Sequence, residues 1–199
     1  MRVISGKAKG KKLKAPSQAR PLTDRAKEAL FNILRNKVVD SAFLDLFAGS
    51  GAVGIEALSR GAEKAVFVDL DRKAVSIIRE NLKNTGLAEQ ADVYANDAVS
   101  ALKVLGSKLS RFDLIFLGAP YDSPALESTL EKIGELDLLK RSGVVIAEHR
   151  KQHKLLNEYG QLKIFREEKY GETVFGFYEM GKPATERRGF QIEEKRIRD

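Results

Sequence analysis

The chain of 199 residues contains no cysteine, which removes disulfides, zinc–thiolate centres and thiol nucleophiles from consideration. It contains two histidines, His149 and His153, and both stand among charged residues, where they read as surface side chains. No set of His, Asp or Glu at metal-ligand spacing accompanies them, so no metal is expected. Long apolar runs are also missing. None approaches the ~20 residues needed to cross a bilayer, and the basic N-terminus lacks the apolar segment of a secretory signal. The expectation is a cytoplasmic protein without a membrane partner, monomeric by default. No internal repeat is visible, and none of the Gly-Lys pairs fits the G-x-x-x-x-G-K-[ST] phosphate loop. Acid is missing from one region altogether: no Asp or Glu precedes Asp24.

Hydrophobic residues make up 43% of the chain and charged residues 32%, which is enough apolar material for the core of one ordinary domain. The formal net charge of +7 points to a polyanionic partner if the charge is concentrated. Lys7, Lys9, Lys11, Lys12 and Lys14 crowd the acid-free start, and Arg20 follows. Val3 and Ile4 can open a short strand, Gly6 and Gly10 punctuate it, and Leu13 can return as a second. A lysine run is ordinarily a solvated face. In a hairpin-like frame it also fits a phosphate-contacting arm.

Residues 42–54 organise the rest. They read Ala-Phe-Leu-Asp-Leu-Phe-Ala-Gly-Ser-Gly-Ala-Val-Gly, an apolar run holding Asp45 and then a G-x-G-x-x-G pattern at Gly49, Gly51 and Gly54. Helical spacing continues to Arg60. Strand, glycine turn and helix together give the pattern meaning. Gly49 suits a tight turn, Gly51 the approach of a ligand to the backbone, and Gly54 close packing of helix on strand. Free N–H groups at the helix start then face the ligand. A carboxylate beside this loop disfavours the pyrophosphate of NAD. It favours the sulfonium and ammonium of S-adenosylmethionine by Coulomb attraction. The alternative role for Asp45 is to accept hydrogen bonds from neighbouring backbone N–H groups.

The remaining elements follow in order. Thr23 is a fair N-cap, and Ala26, Ala29, Leu30, Ile33 and Leu34 form a buried helical stripe. Thr23 and Arg25 can also reach a ligand. A second apolar run, residues 65–68, ends in Asp69-Leu70-Asp71. Asp69 stands where a doubly wound fold places the carboxylate that binds ribose hydroxyls, and Asp71 reads as the next N-cap. A third run, 92–95, leads to Asn96-Asp97-Ala98. There Asp97 either accepts the adenine amino group or caps another helix. Residues 112–117 form a fourth run, followed by Gly118-Ala119-Pro120-Tyr121. Residues 143–147 form a fifth, closing with Glu148-His149. Runs at 162–168 and 173–179, joined by 169–172, read as a hairpin. The pattern predicts an α/β fold whose mostly parallel sheet has an antiparallel edge. Three segments are expected: a basic arm (1–22), the main domain (23–180) and a charged tail (181–199).

These residues together resemble a known family, the bacterial 16S ribosomal RNA guanine-N2 methyltransferases (the RsmD group). The resemblance spans roughly residues 1–180 and rests on several blocks. These are Met-Arg-Val-Ile-Ser-Gly at the start, Arg20-Pro21 with Thr23-Asp24-Arg25, and Glu28-Ala29-Leu30-Phe31-Asn32. They continue with Asp45-Leu46-Phe47-Ala48-Gly49-Ser50-Gly51, Glu56-Ala57-Leu58-Ser59-Arg60-Gly61-Ala62 and Tyr170-Gly171-Glu172-Thr173. The glycine loop alone marks only the wider methyltransferase superfamily, whereas the N-terminal block and Ser59-Arg60-Gly61-Ala62 are more specific. The resemblance implies a Rossmann-like sheet of seven strands with a small N-terminal β-hairpin that helps hold RNA. It implies S-adenosylmethionine as methyl donor, S-adenosylhomocysteine as product, and a guanine amine of 16S ribosomal RNA or a small-subunit assembly particle as acceptor. The cofactor set it implies is Thr23, Arg25, Asp45, Phe47, Ala48, Gly49, Ser50, Gly51, Gly54, Asp69, Leu70, Asp97 and Ala98.

One departure concerns the catalytic motif. Where the family has Asp-Pro-Pro-Tyr, this chain has Gly118-Ala119-Pro120-Tyr121. In amino-methylating enzymes of this kind, the first side chain and the next carbonyl accept hydrogen bonds from the amine, and the aromatic ring stacks on the flipped base. Gly118 has no acceptor side chain, although the Ala119 carbonyl and the Tyr121 ring remain. Two readings stay open: an RNA methyltransferase whose missing acceptor is supplied from elsewhere, and an RNA-binding or ribosome-assembly protein with a retained cofactor fold and weak catalysis. A nicotinamide oxidoreductase is disfavoured by Asp45 and by the lack of a proton-relay residue.

Overall fold

The computed structural model describes residues 1–16, 22–121 and 123–181. Arg20, Asp122 and the tail from 182 onward fall outside the described residues. Helix α1 (Asp24–Val38) starts at Thr23, whose Oγ1 accepts the Ala26 N–H at 3.2 Å. Four βα steps and a fifth strand follow: β1 (Ala42–Leu46), α2 (Ala52–Ser59), β2 (Lys64–Asp69), α3 (Arg72–Thr85), β3 (Ala91–Ala95), α4 (Ala98–Ser107), β4 (Phe112–Leu117), α5 (Ala125–Glu135) and β5 (Leu139–Arg150). The chain ends in β6 (Glu158–Tyr159), β7 (Leu162–Tyr170) and β8 (Thr173–Met180).

The eight strands form one sheet in the order β3-β2-β1-β4-β5-β8-β7-β6. The first five are parallel, and β8, β7 and β6 are antiparallel. The count exceeds the expected seven by the two-residue β6 at the outer edge. Every residue of β1 is buried, as expected for a parallel strand covered on both faces. One face packs in a cluster with α1, α2 and α3, through Leu30, Phe31, Ile55, Leu58 and Ile78. The other packs with α4 and α5, through Leu102, Leu126, Leu130 and Ile133. Strand order reverses between β1 and β4, so their carboxyl ends open a crevice at the switch point of the sheet.

The N-terminal segment folds back on itself as a short hairpin. Its one antiparallel bridge, Arg2 to Lys12, is flanked by the Val3 N–H donating to the Lys11 carbonyl at 2.9 Å and the Leu13 N–H donating to the Met1 carbonyl at 3.1 Å. Beyond this pairing its backbone bonds to α2. Ile4 and Ser5 donate their N–H groups to the Glu56 carboxylate at 2.8 and 3.0 Å, and Lys7 donates to the Ser59 carbonyl at 2.8 Å. Glu56 is fully buried and also accepts Arg60 Nε at 2.7 Å. Buried Lys27 lies 3.5 Å from it, and burial, partly offset by Glu56, lowers the Lys27 pKa. Val3, Ala8 and Leu13 thereby join the same core as α1 and α2. Covered by sheet and arm together, α2 is buried on all sides, which explains its nearly uniform apolar character.

Candidate functional site

The crevice holds a cavity of about 820 Å³ bounded by the loops after β1, β2, β3 and β4. That is the size range of small-molecule sites. At its floor the chain leaves β1 through Phe47, whose φ of 58° lies in the left-handed region. Such a residue costs on the order of 1–3 kcal/mol unless its surroundings hold it. Here the Ala48 N–H donates to the Val68 carbonyl at 3.1 Å, tying the loop to β2. Gly51 caps α2 with φ 74°, a conformation costly for any side chain. A Cβ on Gly54 would fall 2.3 Å from the Phe67 ring, so helix and strand touch there as glycine alone permits. Neither Gly51 nor Gly54 lines the cavity. Gly51 has a backbone reason to be glycine.

Asp45, Asp69 and Asp97 line the cavity with Phe47, Ala48, Gly49, Ser50, Leu70 and Ala98. Asp69 accepts the Gly49 N–H at 2.7 Å and the Asp71 N–H at 2.9 Å. Asp71 caps α3 by accepting Lys73 N–H at 2.8 Å. Asp97 caps α4, accepting Ser100 N–H at 3.0 Å, and hydrogen bonding from the Ser100 side chain, then from its backbone, lowers its pKa. Its capping role is thus observed, and its place on the cavity wall keeps the adenine role available. Asp45 is 1% exposed and accepts the Gly54 N–H at 2.9 Å. Burial pushes its carboxyl up to about 8, against the Gly54 bond, and the charges of Asp69 and Glu148 add to the rise. Burial thus opposes ionisation of Asp45 while a cation in the cavity favours it, so the Coulomb attraction argued from sequence works against desolvation.

The cavity wall on the β4 and β5 side is formed by Gly118, Ala119, Pro120 and Tyr121 after β4, with Glu148 and Arg150 from β5. Leu117 pairs with Ala147, which sets Gly118 beside Glu148. Tyr121 O–H donates to Glu148 Oε1 at 2.8 Å. The Arg150 guanidinium lies over the Tyr121 ring, 4.9 Å from its centre. A base stacking on Tyr121 uses the opposite face or displaces Arg150. Sequence reasoning missed Glu148 and Arg150. The available signal was an acid at the carboxyl end of the fifth strand, where sheets of this kind bind ligands.

Other expected residues stand apart. Thr23 is occupied as a helix cap, Arg25 is exposed, and neither lines the cavity. Lys7, Lys9, Lys11, Lys12 and Lys14 are exposed on the arm. Lys7 bonds Gln90 and Lys14 pairs with Glu80. The arm nevertheless touches the glycine loop. Buried Asn81 donates to the Lys14 and Ser50 carbonyls, at 2.9 Å each, and accepts the Lys14 N–H at 2.9 Å. His149 is a correction to the surface reading. It is 4% exposed, its Nδ1 lies 2.9 Å from the Arg150 carbonyl, and burial lowers its pKa. It lies inside because β5 continues past Ala147 to pair with β8, with His149 opposite Val174.

A parallel sheet with strand order 3-2-1-4-5, an antiparallel C-terminal edge and a carboxylate-lined cavity at its switch point defines a Rossmann-like methyltransferase. Within that class, the family model described as Conserved hypothetical protein 95 matches residues 1–179, and the chain belongs to this family, the RsmD family. It is 43% identical over 180 residues to the Bacillus subtilis protein named "Putative rRNA methyltransferase YlbH", covering 89% of this chain and 98% of that one. It is 31% identical over 181 residues to "Ribosomal RNA small subunit methyltransferase D" of Escherichia coli, covering 90% and 89%. The solved structure of a hypothetical protein from Thermus thermophilus superposes with a TM-score of 0.81 at 34% identity, covering 90% of this chain and 99% of that one.

Proposed function

We propose that the protein transfers a methyl group from S-adenosylmethionine to the exocyclic N2 amine of a guanine in 16S ribosomal RNA. The observation that carries this reading is one cavity lined from both sides of the switch point. Asp45, Asp69 and Asp97 come from the β1, β2 and β3 side, and Tyr121 with Glu148 from the β4 and β5 side. The kinship with small-subunit RNA methyltransferases supplies the substrate class.

The residues present fit the donor. Asp69 and Asp97 stand at the ends of successive parallel strands, placed to accept hydrogen bonds from ribose hydroxyls and an adenine amine. Asp45, made reluctant to ionise by burial, is matched to a ligand carrying positive charge. S-adenosylmethionine supplies an electrophilic methyl group when bound. The chain's own contribution is positional. The Ala119 carbonyl accepts one hydrogen bond from the amine, Tyr121 stacks the extruded base, and the cavity walls exclude water. The exposed lysines of the arm hold RNA phosphate. A ribosomal RNA substrate supports a cytoplasmic location.

Gly118 favours a second reading, an RNA-binding assembly protein with weak catalysis, because it offers the amine no side-chain acceptor. Incubation with labelled S-adenosylmethionine and small-subunit particles lacking the modification separates the two. The methyltransferase labels the 16S RNA in multiple turnovers, whereas the assembly protein binds particles and leaves them unlabelled.

A further inference from the structure

We infer that Glu148 is the acceptor for the target amine and takes the proton it sheds, in place of the side chain that residue 118 lacks. This rests on the methyltransferase reading above. Gly118 is the first residue after β4 and is not in the left-handed region, so nothing in its backbone demands glycine. A Cβ built there would lie 3.1 Å from the Phe116 ring, which must give by a few tenths of an ångström, and 3.7 Å from Glu148 Oε2. A carboxylate on the neighbouring strand therefore stands beside the space that the side chain of residue 118 would enter. It lines the same cavity as Asp45 and is close enough to raise the Asp45 pKa. Its other oxygen, Oε1, takes the Tyr121 O–H at 2.8 Å, which fixes the orientation of both groups. Glu148 thus stands between Tyr121 and Asp45 in its interactions, bonded to one and within electrostatic reach of the other.

The step balances with Glu148 as acceptor. The amine nitrogen forms a bond to the methyl carbon while the carbon–sulfur bond breaks, and sulfur keeps that electron pair. The methylated nitrogen gives one proton to the Glu148 carboxylate. The products are the neutral methylamine, a neutral thioether and a protonated Glu148, which returns its proton to solvent. A carboxylate in this place favours the positive charge that develops on nitrogen.

The test uses the full chain, small-subunit particles lacking the modification, and the variants Glu148→Gln, Glu148→Ala and Gly118→Asp/Glu148→Gln. Thermal denaturation establishes that each folds. Glu148→Gln is expected to slow single-turnover transfer on the order of 10²–10³-fold, with S-adenosylmethionine affinity little changed. The double variant should regain much of that rate by returning a carboxylate from residue 118. A second readout needs no turnover: binding of target RNA carrying guanine, or inosine, which lacks the amine, with S-adenosylhomocysteine present. Wild type should prefer guanine, and Glu148→Ala should lose the preference. An active wild type with an equally fast Glu148→Gln overturns the assignment and leaves the methyltransferase reading standing. So does an unchanged guanine preference in Glu148→Ala. A wild type that binds donor and RNA but transfers nothing overturns the functional reading, and the role of Glu148 with it.

Discussion

Asp69 accepts the backbone N–H of Gly49 at 2.7 Å, so the carboxylate at the end of β2 holds the turn that follows β1. The same side chain borders the cavity. Its removal should affect both loop and ligand. Asp69→Ala is expected to weaken S-adenosylmethionine binding by ~1.5–3 kcal/mol, typical for a charged hydrogen-bond acceptor. Calorimetric titration checks this, and undiminished affinity in a folded variant removes Asp69 from the cofactor site.

Asp45 gives a pH dependence with a definite sign. Its folded-state pKa is raised from 3.8 to about 8, chiefly by burial. Between those values the folded protein retains a proton that the unfolded chain has released. This contribution to stability is full below the unfolded pKa and is lost as pH rises through about 8. Asp45→Asn should flatten the decline in denaturation midpoint over that window. A cationic ligand favours the ionised form, so S-adenosylmethionine binding should release a proton. Titrations in buffers of different ionisation enthalpy measure it, and equal apparent enthalpies in all of them would contradict the coupling.

The arm makes a separate prediction. Lys9, Lys11 and Lys12 are exposed and have no ion-pair partner among the described residues. Replacing all three with alanine should lower the slope of log affinity for RNA against log salt by ~2, at roughly 0.7–0.9 per phosphate contact. Donor affinity should hold. An unaltered slope makes these lysines ordinary solvated charge.

Asn81 connects arm and loop through its bonds to Lys14 and Ser50. Asn81→Ala removes these bonds and leaves buried backbone groups without partners, which should cost about 2–4 kcal/mol. Urea denaturation reads this directly. A loss under about 0.5 kcal/mol would place Asn81 among inconsequential contacts.

The sequence carried the parallel half of the fold plainly because buried strands and their helices have strong, distinct periods. β4 has the expected bounds, Phe112–Leu117, and Asp71 caps its helix as expected. The arm was less legible. Its lysines were visible, but the bonds from Ile4 and Ser5 to Glu56 join residues more than 50 positions apart, and no local pattern reports them. Asp45 and Asp69 were found because a glycine loop fixes where such acids fall. Glu148 and Arg150 were not, because their place beside Tyr121 follows from the β4–β5 register. His149 misled in the same way, since charged neighbours in sequence conceal the cover provided by β8.

The most direct test of the central claim is mass-spectrometric mapping of 16S ribosomal RNA after incubation of the protein and S-adenosylmethionine with particles lacking the modification. The account predicts one added methyl group per RNA, on the N2 amine of a single guanine. Methylation at a ring nitrogen, on ribose or on another base would contradict it, as would unmodified RNA from a protein that binds both donor and particle.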